Sequence, residues 1–323
     1  MTYLGMRLLF LLSGEHPTLP FSELACVGKV TEAGRQVAIA ECDSIGPAGR
    51  LAMTHAVMEY LGECNADLNS LKRLLKDLAI ATDAPYAARA SRIDGTRMKE
   101  PSSVLEHTMG KLISGTVCLS APEEVYRTLC SGDRCYIGKV LAIPDRSSFE
   151  GRKPGRRPFF HPGVMMPRLA RALVNISLAG PGDWLFDPFS GTGGILVEAA
   201  EIGARAAGGD MDRAMVEGTR SNVPGAWCMR ADACRLPLRS ATIDAVVTDL
   251  PYGQSVAILG SGIEFLYTHA LLEIERILKP GCRAVIVTHR DIRDIATGIM
   301  TLTEFHEQRV HKSLTRRIMV LTS

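Results

Sequence analysis

Asp249-Leu250-Pro251-Tyr252-Gly253 closes an apolar run, Ile243-Asp244-Ala245-Val246-Val247-Thr248, whose composition predicts a strand buried on both faces. A carboxylate, a proline and an aromatic at the end of such a strand are suited to holding a flat base that carries an exocyclic amine. The carboxylate of Asp249 accepts one N–H bond. A backbone carbonyl beside the proline, that of Leu250 or of Pro251, accepts the other. The ring of Tyr252 stacks on the heterocycle, a contact worth ~1–3 kcal/mol per base. Asp, Pro and Gly are also ordinary turn residues, so the pentapeptide alone leaves a plain strand-end turn open.

A second set of residues lies upstream. Trp184-Leu185-Phe186 runs into Asp187-Pro188-Phe189-Ser190-Gly191-Thr192-Gly193-Gly194, and Ile195-Leu196-Val197-Glu198-Ala199-Ala200 follows with helical character. Strand, glycine turn and helix are the form in which a parallel α/β sheet offers backbone to a nucleotide-like ligand. The glycines allow a tight turn and a close approach. The dinucleotide fingerprint is absent, because the third glycine is missing and Asp187 stands where that turn would open on glycine. A negative charge there disfavours pyrophosphate and favours a cationic, amine-bearing ligand such as S-adenosylmethionine. Asp210 ends the small-residue strand Ala206-Ala207-Gly208-Gly209, 23 residues after Asp187, the spacing at which an acid holds ribose hydroxyls. Asp212 reads as the cap of a helix starting at Arg213. Asp232, with Ala233 beside it, follows the strand 226–230 and is placed to bond an adenine amine. Each acid singly reads as a cap or a solvated loop residue; the succession of strand-end acids is what points to a cofactor.

With these motifs, residues from about 160 to 323 resemble a class I S-adenosylmethionine-dependent methyltransferase domain. The family's usual target-amine motif has proline where this chain has Leu250, a departure that preserves the backbone carbonyl and disfavours a DNA adenine methyltransferase. The stretch 152–171, with Arg157-Pro158-Phe159-Phe160-His161-Pro162, and the opening Leu9-Phe10-Leu11-Leu12-Ser13-Gly14-Glu15-His16 resemble the archaeal and eukaryotic tRNA guanosine-10 N2-methyltransferases. The resemblance implies N2-methylation of a tRNA guanosine, with Asp249, Leu250, Pro251 and Tyr252 at the amine. Asp187, Phe189, Ser190, Gly191, Thr192, Gly193, Asp210, Asp232 and Ala233 would lie at the cofactor. It implies an N-terminal THUMP RNA-binding module, a cytoplasmic protein and, in several members, a small zinc-binding activator subunit. Such a subunit would add a strand along Ala226, Trp227 and Met229, an apolar edge that otherwise needs covering. An N6-adenine DNA methyltransferase, a protein glutamine N5-methyltransferase and a non-catalytic RNA-binding scaffold are the rival readings.

Composition bears on the partner. The formal charge is only +2, but residues 146–171 carry seven Lys/Arg against one acid, while 1–145 and 172–323 each carry 15 against 17. Arg152, Lys153, Arg156 and Arg157 in this connector are read as a phosphate track, against the plain reading of a solvated loop. His161 is a candidate contact to cofactor or RNA. Nine cysteines include no Cys-x-x-Cys pair, so no metal site is expected and the thiols read as reduced. No Pro-Cys dipeptide is present to supply the nucleophile of carbon-5 pyrimidine methylation. Leu8–Leu12 is too short to span a membrane.

The elements that must position these residues can be read coarsely. The fold class expected is α/β: a Rossmann-like methyltransferase domain with a seven-stranded mixed sheet, preceded by an α+β THUMP-type module. The divisions expected are 1–55 (a ferredoxin-like unit), 56–145 (THUMP), 146–166 (basic linker) and 167–323 (methyltransferase). Strands are expected at Met6–Leu12, Gln36–Glu41, Thr116–Leu119 and Cys135–Ile143. Helices are expected around 21–26, from Gly49, at Leu68–Leu78, and at Ser103–Ile113 with a serine cap. In the second half Pro167–Leu178 and Glu264–Leu278 read as helices and Arg283–Thr288 as a buried strand. Thr301–Arg309 with Thr315–Leu321 reads as a terminal hairpin.

Overall fold

The computed structural model describes residues 5–252, 262–311 and 314–323, so Gly253 of the target motif lies outside the described residues. Two compact units result, Met1–Asp145 and Arg146–Ser323.

The first unit runs β1 (Met6–Leu12), α1 (Leu19–Glu23), β2 (Lys29–Gly34), β3 (Val37–Cys42), β4 (Thr54–Asn65) and α2 (Leu68–Leu78). It continues with β5 (Tyr86–Arg92), α3 (Ser102–Leu112), β6 (Glu124–Ser131) and β7 (Arg134–Ala142). All seven strands share one sheet, ordered β2-β3-β1-β4-β7-β6-β5, parallel only between β5 and β6. β4 pairs with β1 on one side and β7 on the other, so the division expected at residue 55 falls inside a strand common to both halves. The helix expected from Gly49 is a 3-10 turn, Gly46–Arg50, that leads into β4. Two glycines and Pro47 in five residues work against an α-helix. Buried Glu23 then takes the amides of Ala52 and Met53 (2.7 and 2.8 Å). Asp67 caps α2 through Ser70 N. α3 has no side-chain cap, contrary to expectation; Pro101 stands at that position, and Glu106 accepts from Ala90 N instead. Thr116–Cys118 makes only a bridge to Tyr86, not a full strand.

The second unit runs α4 (Ser148–Gly151), α5 (Pro167–Ile176), β8 (Trp184–Asp187), α6 (Gly194–Glu201), β9 (Arg205–Asp210), α7 (Arg213–Asn222) and β10 (Trp227–Arg230). Then come β11 (Ile243–Asp249), α8 (Gly262–Ile277), β12 (Leu278–Thr288), α9 (Arg293–Thr297), β13 (Thr301–His311) and β14 (Leu314–Thr322). The sheet order is β10-β9-β8-β11-β12-β14-β13. Its first five strands are parallel and β14 is antiparallel to both neighbours. Strand order reverses between β8 and β11, and in open α/β sheets the crevice beyond the carboxyl ends at such a switch point takes the ligand. Apolar side chains of β8, β11, β12, β14 and α8 form the core beneath it.

Residues 146–166, expected as a linker, pack as part of this unit. Phe149 is buried with the Arg152 guanidinium 4.9 Å from its ring. Arg152 also bonds Glu198 of α6 (2.8 Å). Asn222 at the end of α7 holds both the amide and the carbonyl of Phe159 (2.9 and 2.8 Å). Among the described residues no helix is long and apolar enough to cross a membrane, and no His/Cys/Asp/Glu group is placed to hold a metal ion.

Candidate active site

Three acids end parallel strands at one edge of the second sheet: Asp187 on β8, Asp210 on β9 and Asp249 on β11. They line a single cavity of about 560 Å³ with Asp232 and Ala233, the glycine loop and Tyr252. Asp187 is buried and accepts from Thr248 Oγ1 (2.6 Å) and Phe189 N (3.1 Å). Burial pushes its carboxyl up to about 7, the two hydrogen bonds opposing and the nearby acids Asp249 and Asp210 adding to the rise. A cationic group brought alongside would reverse that shift. Asp210 accepts from Gly191 N and Asp212 N, both 2.9 Å, and burial raises its pKa as well. Asp212 caps α7 through Ala214 N (2.8 Å), as expected from sequence.

The loop between Asp187 and α6 is shaped by glycine. Gly193 has φ +76°, and a Cβ there would meet Thr219 Cγ2 at 2.8 Å. Thr219 in turn donates to the Gly191 carbonyl (2.8 Å), and Asn222 Nδ2 to that of Thr192 (2.9 Å), so α7 fixes the loop from behind. Ser190 Oγ is buried and has no hydrogen-bond partner among the described residues. An orphaned hydroxyl, a glycine cradle and an acid awaiting a cation fit an amine-bearing ligand.

At the other wall, Tyr252 O–H donates to Asp249 Oδ1 (2.6 Å). Burial pushes Asp249 up to about 6, opposed by Tyr252 and by the Arg316 guanidinium. Burial and Asp249 raise the Tyr252 phenol further, so it stays a donor. The Tyr252 ring lies 3.6 Å from that of His289 at 63°. Leu250 is buried and its amide bonds Val287 O. The Pro251 carbonyl accepts from Tyr267 O–H (2.8 Å). The carbonyl of Leu250 is therefore the better candidate for an incoming amine.

The remaining candidates separate. His161 is exposed and lines the cavity, its Nδ1 donating to Pro162 O. Arg152 is committed to Glu198 and Glu201, and both Nη atoms of Arg157 are buried, with Nε bonded to Arg152 O. These two face protein, which corrects their place in the expected track. Arg156 is exposed, and Lys153 pairs with Glu150 at a largely solvated position. β10 is an edge strand, and Trp227 on it is 55 % exposed, its ring 6.2 Å from that of Trp184; Ala226 and Met229 are half-buried. Sequence reasoning missed Thr248, Thr219, Asn222, Tyr267, His289 and Arg316. Thr248 lies beside Asp249 on β11, but its partner Asp187 is 61 residues away, so no local signal marked it.

A family model described as RMKL-like, methyltransferase domain, matches residues 154–318. The chain is 34 % identical to the tRNA (guanine(10)-N2)-dimethyltransferase of Methanothermobacter thermautotrophicus, over 98 % of this chain and 99 % of that protein. It is 30 % identical to the protein of the same name from Methanocaldococcus jannaschii, over 96 % and 98 %. Among solved structures, TrmN from Thermus thermophilus matches with a TM-score of 0.53 and 21 % identity over 98 % of this chain and 99 % of that one, a likeness of fold.

Proposed function

The chain belongs to the family of archaeal tRNA (guanine(10)-N2)-dimethyltransferases, and from that premise we propose that it methylates the exocyclic N2 amine of guanosine 10 in tRNA. The observation that carries the reading is one cavity opening onto both the Asp187–Gly194 loop and the Asp249–Tyr252 strand end. S-adenosylmethionine, when bound, supplies an electrophilic methyl on a sulfonium. Asp187 and the Ser190–Gly193 loop with Phe189 would hold its amino-acid part, Asp210 the ribose hydroxyls, and Asp232 with Ala233 the adenine. Guanine reaches this depth only unstacked, because its amine lies in the RNA minor groove.

Asp249 and the Leu250 carbonyl then accept the two amine hydrogens, which turns the N2 lone pair toward the methyl. Tyr252 covers the base and, through its hydroxyl, keeps Asp249 aimed. Direct transfer is accelerated chiefly by this positioning. Asp249, poised near 6, is suited to take the proton the amine loses.

The basic track reduces to Lys153 and Arg156, and the THUMP-type module of residues 1–145 engages tRNA in a cytoplasmic enzyme. The exposed edge at Ala226, Trp227 and Met229 accepts the strand of a small zinc-binding activator subunit; size-exclusion chromatography tests it, and a fully active lone chain speaks against it. The function itself is tested by tritiated-methyl transfer to tRNA, DNA and protein. Label entering tRNA guanosine supports it; label entering DNA adenine or protein glutamine instead overturns it.

A further inference from the structure

We propose that Arg316, on β14, is a positioning residue for the transfer: its fixed charge holds Asp249 as acceptor and Tyr252 as donor in the pair that receives the amine. β14 runs antiparallel beside β12 with Arg317 opposite Thr288, which brings residues 315–317 against the turn leaving β12. Arg317 Nη1 donates to the His289 carbonyl (2.6 Å) and His289 Nδ1 donates to the Thr315 carbonyl (3.2 Å). The Tyr252 ring rests on that same His289. Arg316 lies between these clamps. Its Nε is buried with no hydrogen-bond partner among the described residues, and its charge acts on both the Tyr252 hydroxyl and the Asp249 carboxylate.

An arginine cannot shed its proton; Arg316 is half-buried with its Nε cut off from water, and Asp249 is the carboxylate its charge acts on. The other groups around the pair are Tyr267, Asp187, His289 beneath Tyr252, and Arg290 beyond Tyr267. Tyr252 and Arg316 are the groups that oppose the effect of burial on Asp249. A protonated Asp249 Oδ no longer accepts freely from the amine. Loss of the Arg316 charge therefore moves the acid limb of the rate to higher pH.

The inference rests on the proposed guanosine reaction, and the test separates the two. Single-turnover methylation of tRNA is followed from about pH 5 to pH 9. Arg316→Gln is expected to raise the acid limb by about one pH unit, with the rate deficit shrinking at high pH. Arg316→Lys is expected to keep the limb where wild type has it. An Arg316→Gln limb at the wild-type position, with an equal deficit at every pH, overturns the inference. So does an Arg316→Lys limb displaced upward, and Arg316→Lys decides alone if the Gln variant fails to fold. A wild type inactive on every RNA guanosine sinks the reaction and the inference together; an active wild type with an unmoved Gln limb sinks only the inference.

Discussion

The proposed reaction gives two strand-end carboxyls, Asp249 and Asp187, different tasks. Asp249 is bonded by Tyr252 and opens onto the cavity. Its replacement by Ala is expected to slow methyl transfer by about 10²–10⁴-fold, the range for loss of a positioned acid–base group. S-adenosylmethionine affinity, measured by calorimetry, is expected to stay near wild type, and wild-type turnover would remove Asp249 from the mechanism. Asp187 is buried and sits near 7. Its folded pKa exceeds its unfolded one, so its contribution to stability is full below about pH 4 and is lost as pH rises through 7. Cofactor binding runs the other way. If the carboxylate receives the ammonium, affinity falls as pH drops below about 7 and binding near neutrality releases a proton. Calorimetry in buffers of different ionisation enthalpy reads that proton; buffer-independent heats would contradict the assignment.

The elements show why part of this was legible in the chain and part was not. β1 and α2 coincide with their expected residues. Their apolar spacing is local and strong, and Asp67 supplies α2 with a cap. β2, β4, β5 and β6 were not expected. Runs such as Tyr86-Ala87-Ala88-Arg89-Ala90-Ser91-Arg92 carry little hydrophobic alternation, and β4 follows a stretch read as the start of a helix at Gly49; pairing with neighbours makes them strands. The acids of the site were readable because glycine, proline and strand-end position mark them. Their supports were not. Thr248 meets Asp187 across 61 residues and Phe159 meets Asn222 across 63. The same long reach misdirected the reading of Arg152. Its true partner, Glu198, is 0 % exposed on α6 and is shared with Arg171 (2.8 Å). Glu198→Ala removes the buried acid that Arg152 and Arg171 share, leaving Arg152 only its more exposed partner Glu201, and is expected to cost about 3–5 kcal/mol by denaturant unfolding. A loss under about 1 kcal/mol would mean solvent compensates the pair.

For the whole molecule the question is how tRNA is gripped and which atom is methylated. Lys153→Ala with Arg156→Ala is expected to weaken tRNA binding and flatten its salt dependence, by up to ~0.9 slope units per phosphate contact removed. Cofactor affinity is expected to hold. An unaltered slope would leave both side chains in solvent. The central claim concerns the target atom, and nucleoside mass spectrometry of a tRNA transcript incubated with enzyme and S-adenosylmethionine tests it most directly. The account predicts N2-methylguanosine or N2,N2-dimethylguanosine from wild type. Over the same incubation it predicts a small fraction of that product from Asp249→Ala, and none when guanosine 10 of the transcript is replaced by adenosine. A methyl on any other atom, or product undiminished in the replaced transcript, would contradict it.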